Sequence, residues 1–502
     1  MEKKTDYAKF SDAVKSAFGD GNDLIRMDFD VAGRSASVFF IDGVIDKELC
    51  ELNIFSPLKA LSSLAYPYID RLNAATRPTT AIKLNYSPEE AAQTVADGDI
   101  VLIIDGGEGA FVFSERKYPT RGIQEPPVSN VLRGPREGFV EDFKANCVMI
   151  RRRLRTPRLR FLNFKVGRLT NTVVSVAYIS GVADKKIVDE ICRRIKSIDI
   201  DGIVESSYVA AFLEDGGQSL FDRVGTSEKP DIVCAKMLEG RAAVIVDGSP
   251  VVLTLPFILL EHLQASEDYY VKSFRATLIR TIRIMALLIA VLLPASYVAL
   301  QEFQYQMFPL KFLVTIMNSV YGIPLTPMFE MLLVLLIFEI LSEASVRMPR
   351  YVGMALSVVG AIVLGETAVK AGLLSTPTIL IISVSTIGLY CVPDEVNTGS
   401  VLRLIFVAVA GVLGLFGIIL GGVILTAHLV DLRSYGTSYI APFAPALPGD
   451  WNDAVFKAGV TELYERPYSI PTKNRKRLKR CGIRFPIKYI RGSSRYSRSF
   501  LR

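Results

Sequence analysis

Between residues 263 and 432 the chain strings together apolar runs that a water-soluble fold cannot house. A helix needs about 20 mostly apolar residues to cross a hydrocarbon core of about 30 Å. Residues 282–300, 351–374 and 402–430 meet that length, the last with room to tilt. Residues 326–341 are fewer but strongly apolar, and 378–392 form a short run bounded by Pro377 and Pro393. Pro294 marks a kink or an end in the first run. A further stretch, 307–323, carries Lys311, Asn318 and Gly322 and reads as interfacial. Half of the 502 residues are hydrophobic. Their concentration in one region rules out an ordinary soluble enzyme, a disordered chain and a fibrous repeat.

Charge sets the expected topology. Lys272, Arg275, Arg280 and Arg283 precede the first run, and Arg347 and Arg350 fall between the second and third. From Arg466 to Arg502 there are 13 Lys or Arg and no acidic residue, while the whole chain is only +7. The rest is therefore net acidic. Basic flanks stay on the cytoplasmic side, which places the N-terminal region and the tail there and residues 301–326 outside. No apolar leader follows Met1. Both ends inside requires an even number of crossings, and five runs do not fit. Either 378–392 is a re-entrant segment, its backbone covered by protein or a water-filled cavity, or 307–323 also crosses. The first gives four spans and the second six.

The fold class expected is an α/β soluble region of two subdomains (1–150 and 151–262). An all-α multi-span membrane domain (263–432) and a C-terminal segment with a basic tail (433–502) follow. Residues 35–41, 158–166 and 172–179 read as strands from their alternation and β-branched content. Residues 99–105 and 110–114 flank Gly106-Gly107-Glu108-Gly109, and 242–246 and 250–255 flank Asp247-Gly248-Ser249; both patterns predict hairpins. Helical spacing marks 138–154 and 184–198.

Little here supports catalysis, and no enzyme, cofactor or metal site is expected. His262 and His428 are the only histidines, which argues against a histidine metal site or a His-dependent triad. The six cysteines form no CxxC pair and read as apolar filler in a reduced compartment. No GxGxxG or Walker lysine follows the Gly106 turn. The cluster Arg151, Arg152, Arg153 and Arg155 lacks aromatic platforms for nucleic acid, and anionic lipid, an acidic partner or solvation remain as readings. The tail has the same ambiguity, with inner-leaflet lipid the best physical reading.

Ionisable residues within the apolar region are costly and mark pathways. Glu339 and Glu343 lie one turn apart, as do Glu366 and Lys370. Glu343, Lys370, Asp394, Glu395 and Arg403 can also reach headgroups. Glu339 and Glu366 lie deeper. Gly360, Gly365, Gly417 and Gly421 offer close helix packing, between copies or within the chain.

The motifs Gly134-Pro135-Arg136-Glu137-Gly138-Phe139, Glu141-Asp142-Phe143, Val166-Gly167-Arg168 and Tyr178-Ile179-Ser180-Gly181-Val182-Ala183 resemble those of the spore germinant receptor A-subunit family. So do Ile198-Asp199-Ile200-Asp201-Gly202, Pro349-Arg350-Tyr351-Val352-Gly353 and Tyr439-Ile440-Ala441-Pro442. The resemblance covers about residues 25–470 and keeps the family's order. It implies a multi-pass protein of the bacterial endospore inner membrane that acts with a transporter-like membrane subunit and a lipoprotein subunit. The A subunit is thought to form a homo-oligomeric, ring-like cation channel opened in germination. A relative encoded with the dipicolinate-release proteins belongs to the same family, and the two are not separated by sequence. On this basis Val359, Ile362 and Val363 are the expected hydrophobic gate, and Glu366 or Glu339 the cation-favouring group. A non-conducting scaffold that recruits germination partners is the alternative.

Overall fold

The computed structural model describes residues 7–64, 68–77, 81–117, 134–215, 219–349, 352–353, 358–360 and 362–478. The basic tail beyond Leu478 and part of the 349–356 motif lie outside these.

The soluble region holds two five-stranded antiparallel sheets. Strands β1 (Leu24–Val31), β2 (Arg34–Ile41), β3 (Lys83–Asn85), β4 (Ile100–Ile104) and β5 (Ala110–Phe113) form the first, in the order β1-β2-β4-β5-β3. Strands β6 (Leu159–Val166), β7 (Thr172–Ile179), β8 (Gly225–Ser227), β9 (Ala242–Val246) and β10 (Val252–Leu255) form the second, in the order β6-β7-β9-β10-β8. Central strands read as unbroken apolar runs because helices cover both faces. Helices α1 (Tyr7–Phe18) and α2 (Pro88–Ala96) pack on one face of the first sheet through Phe10, Val14, Phe18, Ala92 and Val95. Helix α3 (Phe143–Arg153) straddles residue 150, and its Met149 and Ile150 pack with Leu159 and Phe161 of the second sheet. Helix α4 (Lys185–Ser197) buries Ile187, Val188, Ile191 and Ile195 on the opposite face, beneath an Asp184 cap. Helix α5 (Pro230–Glu239) starts on a proline and stops at Gly240, whose φ of +113° suits glycine alone.

Arg151 ties the two units together. It is buried, donates to the Thr156 carbonyl at 2.8 Å and pairs with Asp23 of the first unit. Asn22 adds a backbone bond to the Phe161 carbonyl at 2.9 Å.

The helical region begins with α6 (Ser273–Glu302), which runs away from the soluble region. Helix α7 (Leu310–Val320) follows at the far end, and its eleven residues are too few to cross. Helix α8 (Pro327–Arg347) returns: the Met328 amide meets the Glu302 carboxylate at 3.0 Å, while Ser342 meets Tyr390 at 3.1 Å near the soluble end. The described part of 352–370 runs outward against it, with Gly353 at Ser345 and Gly360 at Leu341. Helix α9 (Thr376–Tyr390) starts beside Glu330, bonded to Ser375 at 2.5 Å, and descends until Gly388 meets Ala286.

Val396–Asp431 is helical throughout, yet it is not one rod. Gly414 has φ +61° and ψ −148°, a conformation confined to glycine. Thr398 donates to the Leu220 carbonyl at 3.1 Å, and His428 lies against the neighbouring Phe221 ring at 6.2 Å. A straight helix would separate residues 398 and 428 by about 45 Å. The segment therefore doubles back as two arms, α10 (396–413) and α11 (415–431). Gly421 faces Phe406, and Gly417 approaches Val409 and Leu413. The tip sits beside Phe303 and Gln304, at the far end of α6.

Among the described residues the chain alternates in direction six times, through α6, α8, 352–370, α9, α10 and α11. Leu310–Val320 is a short helix at the far end, Thr376–Tyr390 is one continuous helix, and the run 402–430, expected as one straight span, is bent into two arms. Among the described residues, two helical stretches, Ser273–Glu302 and Pro393–Asp431, are long and apolar enough to cross a membrane, and the second contains this reversal.

The reversal is testable by cross-linking. A Phe406→Cys/Gly421→Cys pair is expected to be joined by a short bifunctional thiol reagent in the full-length protein, because the Phe406 ring reaches the Gly421 backbone across the hairpin. In a straight helix they would stand about 22 Å apart. Absence of the cross-link, with both thiols reactive, would contradict the hairpin.

Candidate functional site

Two polar clusters stand out in and beneath the helical bundle. The first surrounds Arg403 on α10. Its side chain is 3% exposed and donates to Ser385 at 3.1 Å and Thr386 at 3.2 Å on α9. Glu339 of α8 stands 3.9 Å away, and the Arg403 Nε has no partner. Ser385 in turn donates to the Ala290 carbonyl of α6 at 2.6 Å. A cavity of about 20 Å³, room for one water, is bounded by Ser342, Glu339, Thr386, Tyr390, Ser400 and Arg403. Four helices are thus joined through one guanidinium. Hydroxyls and a half-exposed carboxylate satisfy a charge that apolar packing alone would not hold.

The second cluster lies where α6 leaves the soluble region. Arg280, 1% exposed, donates to Asp268 at 3.0 Å, to the Asp453 carboxylate at 3.0 Å and to the Asp453 and Ala454 carbonyls at 2.8 and 2.9 Å. Arg283, one turn on, reaches the same Asp268 at 2.9 Å and the Leu263 carbonyl at 3.0 Å. Tyr269 donates to Asp453 at 3.0 Å; burial first, and then that carboxylate, push its hydroxyl well above the usual phenol range. The Lys457 ammonium lies over the Tyr269 ring at 4.8 Å. The linker, the first helix and the C-terminal segment therefore meet at one fully charged, buried joint. Next to it, burial alone would raise the Glu261 carboxyl, but Arg241 and Lys236 outweigh it and hold Glu261 below the usual range.

The residues singled out from sequence fall in different places. Glu339 is half-exposed and faces Arg403, so it belongs to the bundle's own ion pair. Glu366 is largely exposed and lies 2.5 Å from Lys370. Val359, Ile362 and Val363 are about half-exposed, and Val363–Thr367 takes a π-helical turn. Gly360 packs on α8 and Gly365 has open space around it. Gly417 and Gly421 close the α10–α11 hairpin. Arg151 is buried as the tie described above. Arg152 and Arg153 converge on Glu137, the latter at 2.5 Å. Burial opposes but does not prevent the lowering of the Glu137 pKa by both arginines. Arg155 remains exposed. The joint was missed because Arg280 and Arg283 read as flanking charge. The available signal was their helical spacing beside the acidic Asp268.

Comparison with known proteins places this architecture. The family description "Bacillus/Clostridium GerA spore germination protein" matches residues 12–469. The chain belongs to the GerA family. It is 34% identical over 470 residues to spore germination protein KA of Bacillus subtilis (strain 168), covering 92% of this chain and 86% of the relative. It is 31% identical over 472 residues to spore germination protein GerLA of Bacillus cereus, covering 92% and 95%. The crystal structure of the N-terminal domain of the A subunit of the Bacillus megaterium spore germinant receptor GerK3 is 27% identical. It covers 49% of this chain and 92% of that one, at a TM-score of 0.37.

In this GerA-family chain the joint is expected to be a major source of stability. Arg280→Met leaves Asp268 and Asp453 buried with less compensation and should cost roughly 3–5 kcal/mol. Thermal unfolding in mild detergent reads this. A loss under 1 kcal/mol would place the stabilisation elsewhere.

Proposed function

We propose that this chain is an integral membrane subunit of a spore germination complex and forms a homo-oligomeric channel for cations, opened during germination. In this reading the six helical passes cross the spore inner membrane. The soluble region and the basic tail lie on the cytoplasmic side, the tail against anionic lipid. A transporter-like membrane subunit and a lipoprotein subunit complete the complex. The family relationship supports the germination role.

One observation carries the channel reading. The described residues of 352–370 pack on their own chain at Gly353 and Gly360 and leave Val359, Ile362, Val363 and Glu366 uncovered. A carboxylate on an uncovered face is expensive against lipid. A water-filled axis shared by several copies removes that cost and leaves the three apolar side chains to form a gate that dewets when closed. The π-turn at Val363–Thr367 fits a functional position, since such bulges cluster at sites. Glu339 faces Arg403 inside the bundle, whereas Glu366, paired with Lys370, stands on the uncovered face, and that position makes it the preferred selectivity group.

Ion flux from purified protein in liposomes tests this. Glu366→Gln should reduce cation flux or selectivity by roughly tenfold, equivalent to about 1.4 kcal/mol, and Val363→Ala should raise basal leak. Unchanged flux in both, and in Glu339→Gln, would sink the pore assignment. No flux from correctly assembled protein would favour the scaffold.

A further inference from the structure

The two halves of the soluble region repeat one another in register, and only the first is closed by its own local chain. Ala36 faces Ile104 as Val174 faces Val246, and Lys83 faces Val112 as Gly225 faces Thr254. The turn after β2 is Gly43-Val44-Ile45-Asp46, and that after β7 is Gly181-Val182-Ala183-Asp184. Gly43 and Gly181 have φ of +81° and +83°. Each aspartate caps the helix that follows.

In the first repeat, Arg116 follows closely on β5 and bridges Ile45, and the Lys117 amide donates to the Val44 carbonyl at 2.7 Å. Arg116 also pairs with Asp99 at 2.6 Å. In the second repeat the chain leaves at the same point. The Phe257 amide turns to Ser434 at 3.1 Å, and the helical region follows. The corresponding positions, Ala183 and Val182, are filled from the other end of the chain. Thr472 bridges Ala183, and the Lys473 amide donates to the Val182 carbonyl at 3.1 Å.

We propose that the helical region is an insertion into the second repeat, and that residues 466–477 are that repeat's closing piece, held as a releasable strap. This inference does not depend on the channel reading. The strap has its own fastenings. Thr472 Oγ1 donates to the Val182 carbonyl at 2.7 Å and Arg466 to the Leu238 carbonyl at 2.6 Å, while Arg466 also folds the strap on itself through the Asn474 and Lys476 carbonyls, each at 2.7 Å. Gly240 lies 3.2 Å from the Thr472 side chain where a Cβ would stand.

The two closures differ in one physical respect. The first is held by adjacent covalent chain, which keeps its local concentration high. The second returns after about 200 residues, so its contacts alone resist detachment. Open clefts lie beside it: one of about 270 Å³ is walled by Arg466, Pro467, Tyr468, Ser469 and Arg477 themselves, and one of about 320 Å³ touches the strap at Arg477.

The strap also leads to the buried joint. Asp450 accepts the Tyr468 and Ser469 amides, each at 2.6 Å, and Asp453, three residues on, holds Arg280. A continuous path thus runs from the second sheet through the strap to the first turns of α6. Detachment would loosen both ends of the path and remove one wall of the 270 Å³ cleft.

Full-length protein in mild detergent tests the strap by cross-linking and hydrogen exchange. Ala183→Cys/Thr472→Cys should form a disulfide, since bridged strand residues have suitable separation. Lys473→Pro removes the donated amide, and Arg466→Ala removes the carbonyl clamp. Each should speed exchange about tenfold, or roughly 1.4 kcal/mol, at three places: the strap, residues 182–184 and residues 450–457. The oxidised double cysteine should slow all three. Failure to cross-link would overturn the proposal. So would faster exchange confined to 466–478, which would make the segment a terminal appendage. Global exchange in Lys473→Pro would mean misfolding, and the cross-link result then decides.

Discussion

The arrangement hangs on one guanidinium. Arg280 is buried among two carboxylates and two carbonyls drawn from the linker and the C-terminal segment. A charge so deep is tolerated because Nε and Nη1 are met by carboxylates and carbonyls, while Nη2 is left without a partner. That anchoring has a structural consequence. The first helix of the bundle cannot rotate or slide without breaking bonds to residues 268 and 453 together. Motion in the soluble region therefore has a stiff route into the helices, and the GerA family relationship gives that route a setting in germination.

Within the bundle, Arg403 plays a similar part with weaker partners. Its partners are mostly hydroxyls, and Glu339 stands 3.9 Å away. This is a looser junction than the one at Arg280. Four helices converge on it, while the described residues of 352–370 are left largely outside. The bundle thus separates a packed part from one uncovered pass, and the proposed pore lining rests on that division.

The soluble region was largely legible in the sequence. Alternating β-branched residues and glycine turns mark strands and hairpins through local chemistry, and β4–β5 and β9–β10 appear where the Gly106 and Gly248 turns predict them. The helical region was legible in composition but not in connectivity. Hydropathy averages over Gly414, because a reversal built from one glycine leaves the apolar run unbroken; Gly411, Gly414 and Gly417 were its only trace. Arg280, Arg151 and Arg403 were visible as residues, but their burial depends on partners far away in sequence. The strap was hidden for the same reason. The Gly-Val-Ile-Asp and Gly-Val-Ala-Asp turns announce a repeat, but nothing local shows that residue 472 completes it. Glu366 and the apolar side chains before it were found from sequence, and their exposed placement keeps them as candidates.

The account stands on the uncovered pass meeting copies of itself. Particle imaging of the full-length protein in mild detergent measures this most directly. The account predicts a closed ring with an axial path, and the helix carrying Val359, Val363 and Glu366 facing that axis. A stable monomer, or a ring with this helix turned outward to detergent, would contradict it.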